Sequence, residues 1–241
     1  MKRFYKIAEA EAIAGGWTVA LDGRPIRTPA KAGFVVPTSA LAAAAAAEWA
    51  AQGDVLDPRE MPLTGFAYAA IDRVVPDRPA FAADLARFAE TELLCYRAGQ
   101  PPPLVARQAA EWDPLLAWAA ARYDVGFTVT SGIIHTLQPP ATMARIGAAF
   151  AALDAFRLAA LHPVVTICGS ALIGLAVSER HVTAAEAFAT GQLDELWQAE
   201  KWGIDPLAAA SLAARRAAVD TAVEFLDLIE APVTVHEGAT C

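Results

Sequence analysis

Over the first forty residues, short strand-like runs at 4–7, 17–21, 24–27 and 34–36 are separated by Gly15-Gly16, Asp22-Gly23, Pro29 and Gly33. Brief runs bounded by turn residues predict strands. Asp22-Gly23 lies between two of them, and both central positions of a type I′ turn need positive φ, so a hairpin is expected there. The pattern predicts a small sheet.

From Thr38 onward the period lengthens. Thr38 can cap an Ala-rich run reaching Gln52, with Leu41, Ala45 and Trp49 on one face and Gly53 as the stop. Leu63, Phe66, Ala67, Ala70, Ile71 and Val74 recur at the spacing of an amphipathic helix that Pro76 ends. Pro79 opens a helix through Phe81, Leu85 and Phe88. Asp-Pro occurs at 57, 113 and 205, each time with an acceptor side chain at an N-cap and proline at the first helical position. These are helix starts, so the helix after Pro103 is expected to restart at Asp113-Pro114 and run to Tyr123. Residues 127–130 alternate like a strand. Pro140 begins another helix, Asp154 caps an apolar one, Thr183 and Glu186 form a capping box, and a last helix runs from Pro206 to about Ile229.

The apolar stretch 156–177 approaches the ~20 residues of a membrane span. Arg157, His162, Pro163, Thr166 and Ser170 fall inside it, so one buried central helix is the expectation, with no membrane insertion. Together these patterns predict an α+β fold: an N-terminal α+β domain with a short antiparallel sheet over 1–80, then a mainly helical domain over 81–241.

Charge narrows the choice of partner. The 19 Lys and Arg against 27 Asp and Glu give a net charge of -8, with no block of like charge, which argues against nucleic acid. Cys95, Cys168 and Cys241 are widely spaced and odd in number, as expected of free thiols in a reducing compartment. No export or import signal is legible near the N-terminus, where Glu9 and Glu11 interrupt any acid-poor stretch.

Signatures of common chemistry are missing. The chain has no G-x-G-x-x-G, P-loop, H-E-x-x-H or G-x-S-x-G motif. His135, His162, His181 and His236 never take metal-ligand spacing, so no metal and no cofactor are expected. Cys168 lies within the apolar stretch, where burial disfavours a thiolate.

The most unusual local composition is at 192–203, where two of six tryptophans fall among four charged residues. Advancing about 100° per residue, Asp194, Gln198 and Lys201 form a polar strip flanked by Trp197 and Trp202. Leu193, Leu196 and Ala199 take the opposite face. Glu200 falls on that apolar side and calls for a cation such as Arg157 or Arg215, because an unpaired buried charge is costly. Two readings stay open: an aromatic-edged interface, or tryptophans shouldering the core with solvated charges between them.

Other pieces carry a resemblance: Lys2-Arg-Phe-Tyr-Lys6, Leu21-Asp-Gly-Arg-Pro25 with Thr28-Pro29, Glu48-Trp49, Met61-Pro-Leu-Thr64 and Ile71-Asp72. They continue with Leu93-Leu-Cys-Tyr-Arg97, Gln108 with Trp112-Asp-Pro114, Leu193-Asp-Glu-x-Trp-Gln198 and Trp202-Gly203. In register over nearly the whole chain, these resemble the assembly chaperones of F-type ATP synthase, found in mitochondria and alphaproteobacteria, that bind the free alpha subunit of the catalytic head. The resemblance implies a small N-terminal α+β domain and a larger helical one, no catalysis and no nucleotide. It also implies a protein that holds the alpha subunit until a beta subunit replaces it. The family's acidic cluster corresponds here to Asp194 and Glu195. Leu196 stands where a third acid is common and Ala199 where a larger aliphatic is usual, which moves weight to Asp194.

The expectation is therefore a monomeric chaperone of the bacterial cytoplasm, or of the mitochondrial matrix if the chain is a mature eukaryotic form. Asp194, Glu195, Trp197, Gln198, Lys201 and Trp202 would meet the partner, while Trp49 and Glu200 are structural. The alternatives are a small-molecule enzyme using Asp194 or Glu200 as general acid or base, which needs a concave pocket, and a structural adaptor.

Overall fold

The computed structural model describes residues 1–132 and 134–231, and the chain divides into two compact units. Among the described residues one comprises 1–76 with 224–231, the other 77–223. A simple division at 80 thus misses that the end of the last helix belongs with the N-terminal unit. His236 and Cys241 lie outside the described residues.

The first unit holds a three-stranded antiparallel sheet of β1 (Ala8–Ile13), β2 (Gly16–Leu21) and β3 (Arg24–Pro25), in that order. Asp22 and Gly23 have φ of 48° and 75°, so the expected hairpin closes with Leu21 opposite Arg24. Two strand expectations fail. The first strand is not at 4–7 but at Ala8–Ile13, paired from Ala8↔Leu21 to Ile13↔Gly16. Its Ala-Glu alternation has weak intrinsic strand preference, and pairing with β2 overrides it. Residues 34–36 make no fourth strand, only an isolated bridge between Trp17 and Val36. There the Trp17 and Val36 backbones exchange N–H···O bonds of 2.9 and 2.8 Å, and a Cβ on Gly16 would collide with the Val36 carbonyl.

Against this sheet packs α1 (Ser39–Ala50), started by the Thr38 hydroxyl accepting from Leu41 N–H and burying Leu41, Ala42, Ala45, Ala46 and Trp49. Trp49 is 8% exposed, the Tyr5 ring stands edge-on to it, and the Tyr5 hydroxyl donates to its carbonyl at 2.6 Å. The next helix, α2 (Pro62–Ala69), has no cap of its own. Glu48 of α1 caps it instead, accepting from Leu63 N–H at 2.7 Å and Thr64 N–H at 2.8 Å. That bond gives Glu48-Trp49 and Met61-Pro-Leu-Thr64 a common purpose.

The second unit contains α3 (Arg78–Ala86), α4 (Pro102–Tyr123), α5 (Pro140–Ala151), α6 (Ala155–Cys168), α7 (Ala171–Ser178), α8 (Ala184–Gly191) and α9 (Leu193–Trp202), with α10 (Pro206–Glu230) up to residue 223. A parallel pair, β4 (Tyr96–Arg97) and β5 (Thr130–Ser131), takes only the end of the 127–130 run. Asp154 and the Thr183–Glu186 box cap α6 and α8 as expected.

The apolar stretch is two helices. Gly169, at φ 63°, ends α6, and the Ser170 hydroxyl starts α7 by accepting from Ile173 N–H at 2.9 Å. Cys168 therefore sits at a helix break. Burial pushes its thiol and that of Cys95 up to about 12. No described helix is long and apolar enough to cross a membrane. Asp113-Pro114 also behaves differently: α4 runs through it without restarting. Asp113 is drawn to Arg97, 2.7 Å away, and caps nothing.

The Glu92 side chain is fully buried at the start of α7, where it accepts from Leu172 N–H at 3.2 Å. Burial pushes its carboxyl up to about 7. The positive end of the helix and the Ser170 hydroxyl oppose that rise only in part.

Candidate functional site: the α9–α10 corner

Helix α9 starts at Gln192, whose amide donates to the Ile167 carbonyl at 2.7 Å and whose oxygen accepts from Arg215 at 2.7 Å. Asp194 and Glu195 occupy the first turn, where negative charge complements the helix dipole. Gly203, at φ 78°, ends the helix. Two residues later Asp205 starts α10 by accepting from Leu207 and Ala208 N–H at 2.9 and 3.0 Å, with Pro206 in the first turn.

The inward face of α9 is the row Leu193 and Trp197, not the expected Leu193, Leu196 and Ala199. Leu196 and Ala199 are only half-buried. Trp197, at 9% exposed, is a core ring, with the Lys201 ammonium 4.7 Å from its centroid. A large ring four residues after Leu193 wins the inward position, and this turns the acids away from where the wheel put them.

Asp194 does not stand on an open strip. It is half-buried and accepts from the Gln108 amide at 2.7 Å. Gln108 is buried on α4, and its own oxygen accepts from Ala98 N–H at 2.8 Å. Glu200 is not buried. Its side chain is 51% exposed and pairs with Arg107, neither Arg157 nor Arg215, at 2.8 Å. Arg215 instead holds Glu195 at 2.7 Å from both carboxylate oxygens. One turn further along α4, the Trp112 indole donates to the Thr190 carbonyl at 3.0 Å. The acids of α9 are thus committed to α4 and α10.

Gln198 and Lys201 are exposed, and Trp202 is 78% exposed. Shortly after Trp202 in the chain, Ile204 and Leu207 are also exposed, at 42% and 84%, and were not expected from the sequence. The signal was present: Gly203 ends one helix and Asp205-Pro206 starts another, and apolar residues at such a break have few neighbours along the chain to cover them. Arg107 was also missed, because nothing in the sequence pairs positions 107 and 200. Among the described residues no group of three or more His, Cys, Asp or Glu is arranged to hold a metal.

The corner leaves the apolar side chains of Trp202, Ile204 and Leu207 exposed, and the family model that the chain matches is that of a chaperone. Residues 2–120 match the family model described as ATP12 chaperone protein. The chain is 43% identical to Atp12 from Paracoccus denitrificans, over 95% of this chain and 98% of that one, with a TM-score of 0.90. It is 40% identical to the Atu1473 protein of Agrobacterium tumefaciens, over 95% and 85% of the two chains, with a TM-score of 0.87. It is 24% identical over 214 residues to the mitochondrial protein atp12 of Schizosaccharomyces pombe, covering 84% of this chain and 74% of that protein. The chain belongs to the ATP12 chaperone family.

Proposed function

We propose that this chain is an assembly chaperone of the F-type ATP synthase that binds the unassembled alpha subunit of the catalytic head and shields its interface until the beta subunit replaces it. Family membership carries the reading, together with the motif-by-motif resemblance over nearly the whole length. It acts by stoichiometric binding, without catalysis or nucleotide, in the bacterial cytoplasm or the mitochondrial matrix.

In this reading α9 divides its labour. Asp194 and Glu195 position the helix through Gln108 and Arg215, and the Arg107–Glu200 pair locks its second half. Trp202, with Gln198 and Lys201 beside it, meets the partner, and Ile204 and Leu207 extend the apolar contact. Tryptophan in a desolvated contact is a frequent source of binding energy. The enzyme alternative is weaker, because Asp194 and Glu200 are each engaged by a neighbour within 3 Å.

The test is co-expression of the alpha subunit with this chain, followed by size-exclusion chromatography without added nucleotide. Soluble alpha subunit eluting in a one-to-one complex supports the reading. Insoluble alpha subunit, or equal capture of the beta subunit, overturns it.

A further inference from the structure

The N-terminal unit carries a groove of a different character from the α9–α10 corner. The groove, of about 590 Å³, lies among the N-terminal arm, the β2–β3 hairpin and the end of α1. Its floor is Tyr5, Leu21, Ile26 and Trp49, all buried, and its rim carries Arg24 and Arg27. Met1 and Phe4 form a wall while 74% and 65% exposed. Its size is that of a small-ligand or side-chain site.

The groove is preformed. The N-terminal arm that walls it is tied down repeatedly. Lys6 and Ile7 N–H donate to the Asp22 carboxylate at 3.1 and 2.9 Å, Arg3 N–H donates to the Asp54 carbonyl at 2.9 Å, and Leu56 N–H donates to the Met1 carbonyl at 2.8 Å. Holding the walls before a ligand arrives removes part of the ordering cost of binding.

Charge says what kind of ligand fits. Residues 1–31 contain six Lys or Arg and three acids, in a chain whose net charge is -8. Among the described residues neither Arg24 nor Arg27 forms an ion pair. Arg27 donates only to the Lys31 carbonyl, and the Asp22 carboxylate accepts from the Ile7 and Lys6 N–H groups, which keep it below its usual pKa with a smaller contribution from the Lys6 and Arg24 charges. By contrast Arg107, Arg122 and Arg215 in the second unit each hold a carboxylate at 2.6 to 2.8 Å. Arg24 and Arg27, neither in a salt bridge among the described residues, thus stand with the backbone-bonded Asp22 at the edge of an apolar floor, next to exposed Met1 and Phe4.

We infer that this groove docks an extended segment of a protein partner in which an apolar anchor side chain is flanked by acidic residues. The anchor fills the floor against Tyr5, Ile26 and Trp49, and the flanking carboxylates meet Arg24 and Arg27. The inference is independent of the identity of the client bound by α9, since a different unit supplies every residue.

Fluorescence anisotropy on the full chain tests it, using the labelled peptide Glu-Leu-Glu-Phe-Asp, capped at both ends, and its counterpart with lysine at the three acidic positions. The acidic peptide should bind saturably and the lysine peptide at least about tenfold more weakly. Arg24→Glu with Arg27→Glu should cost the acidic peptide about tenfold in affinity and reverse the preference, without moving the melting temperature, because both side chains are exposed. Equal binding of both peptides, no binding of either, or unchanged affinity in the double variant overturns the inference. So does displacement of the acidic peptide by millimolar phenylacetate, which would mark a small-carboxylate site.

Discussion

Two regions of this molecule expose large apolar side chains, and they do so in opposite ways. In the N-terminal unit, Met1 and Phe4 wall a groove whose Arg24 and Arg27 form no salt bridge among the described residues. In the helical unit, Trp202 and Leu207 stand out at a helix break, and the neighbouring acids Asp194, Glu195, Glu200 and Asp205 are already occupied by protein partners. Where charge is spent internally, what remains for recognition is apolar shape. Where charge is left over, sign selectivity is added. Substitutions that remove one kind of surface without disturbing the core can test this contrast.

The largest effect belongs to the core of the first region. Trp49→Arg should destabilise the protein by about 3 kcal/mol or more, because a guanidinium would replace a ring that is 92% buried against Tyr5. A thermal melt within a degree of the parent would show that Trp49 does not hold this unit together.

Next comes Asp194→Lys, which strips the Gln108 amide of a charged acceptor and sets an ammonium beside it. The expected loss is about 2 kcal/mol, read by chemical denaturation. Glu200→Lys on the same helix should cost no more than about 1 kcal/mol, since the Arg107 pair it breaks is half exposed. The reverse order would mean that Glu200, not Asp194, fastens α9.

Asp194 and Glu200 also mark how far sequence reasoning reaches. The sheet-then-helices order, the Asp22-Gly23 hairpin, and the caps at Thr38, Asp154, Thr183 and Asp205 were legible, because each depends on neighbours within a few residues. β1 was not, since Ala-Glu repeats acquire strand geometry only from β2. The break at Gly169-Ser170 was hidden inside a uniformly apolar run. The facing of α9 was misread because a wheel gives the angles between residues but not the direction of the core. That direction is set by what Leu193 and Trp197 bury against, and the polar partners that result, Gln108 and Arg107 of α4, lie some ninety positions away in sequence.

Glu92 offers a subtler check. Its carboxyl is raised from 4.5 to about 7 in the folded protein, so folding favours its protonated form. The stability it contributes is fully present below pH 4.5 and is lost as pH rises through about 7. Glu92→Gln cannot titrate, so between these pH values its melting temperature should fall less than that of the parent. Parallel pH profiles would show that Glu92 does not titrate in this window.

The smallest effect on stability should accompany the largest effect on function, and this tests the central claim most directly. Trp202→Ser with Leu207→Ser should leave unfolding free energy within about 0.5 kcal/mol of the parent for each substitution, because both side chains are more than three-quarters exposed. Light scattering of the unfolded alpha subunit, diluted into an equimolar amount of each chaperone, would read protection beside those melts. The double variant should melt like the parent and no longer suppress aggregation. Full suppression by a normally folded double variant would contradict the central claim.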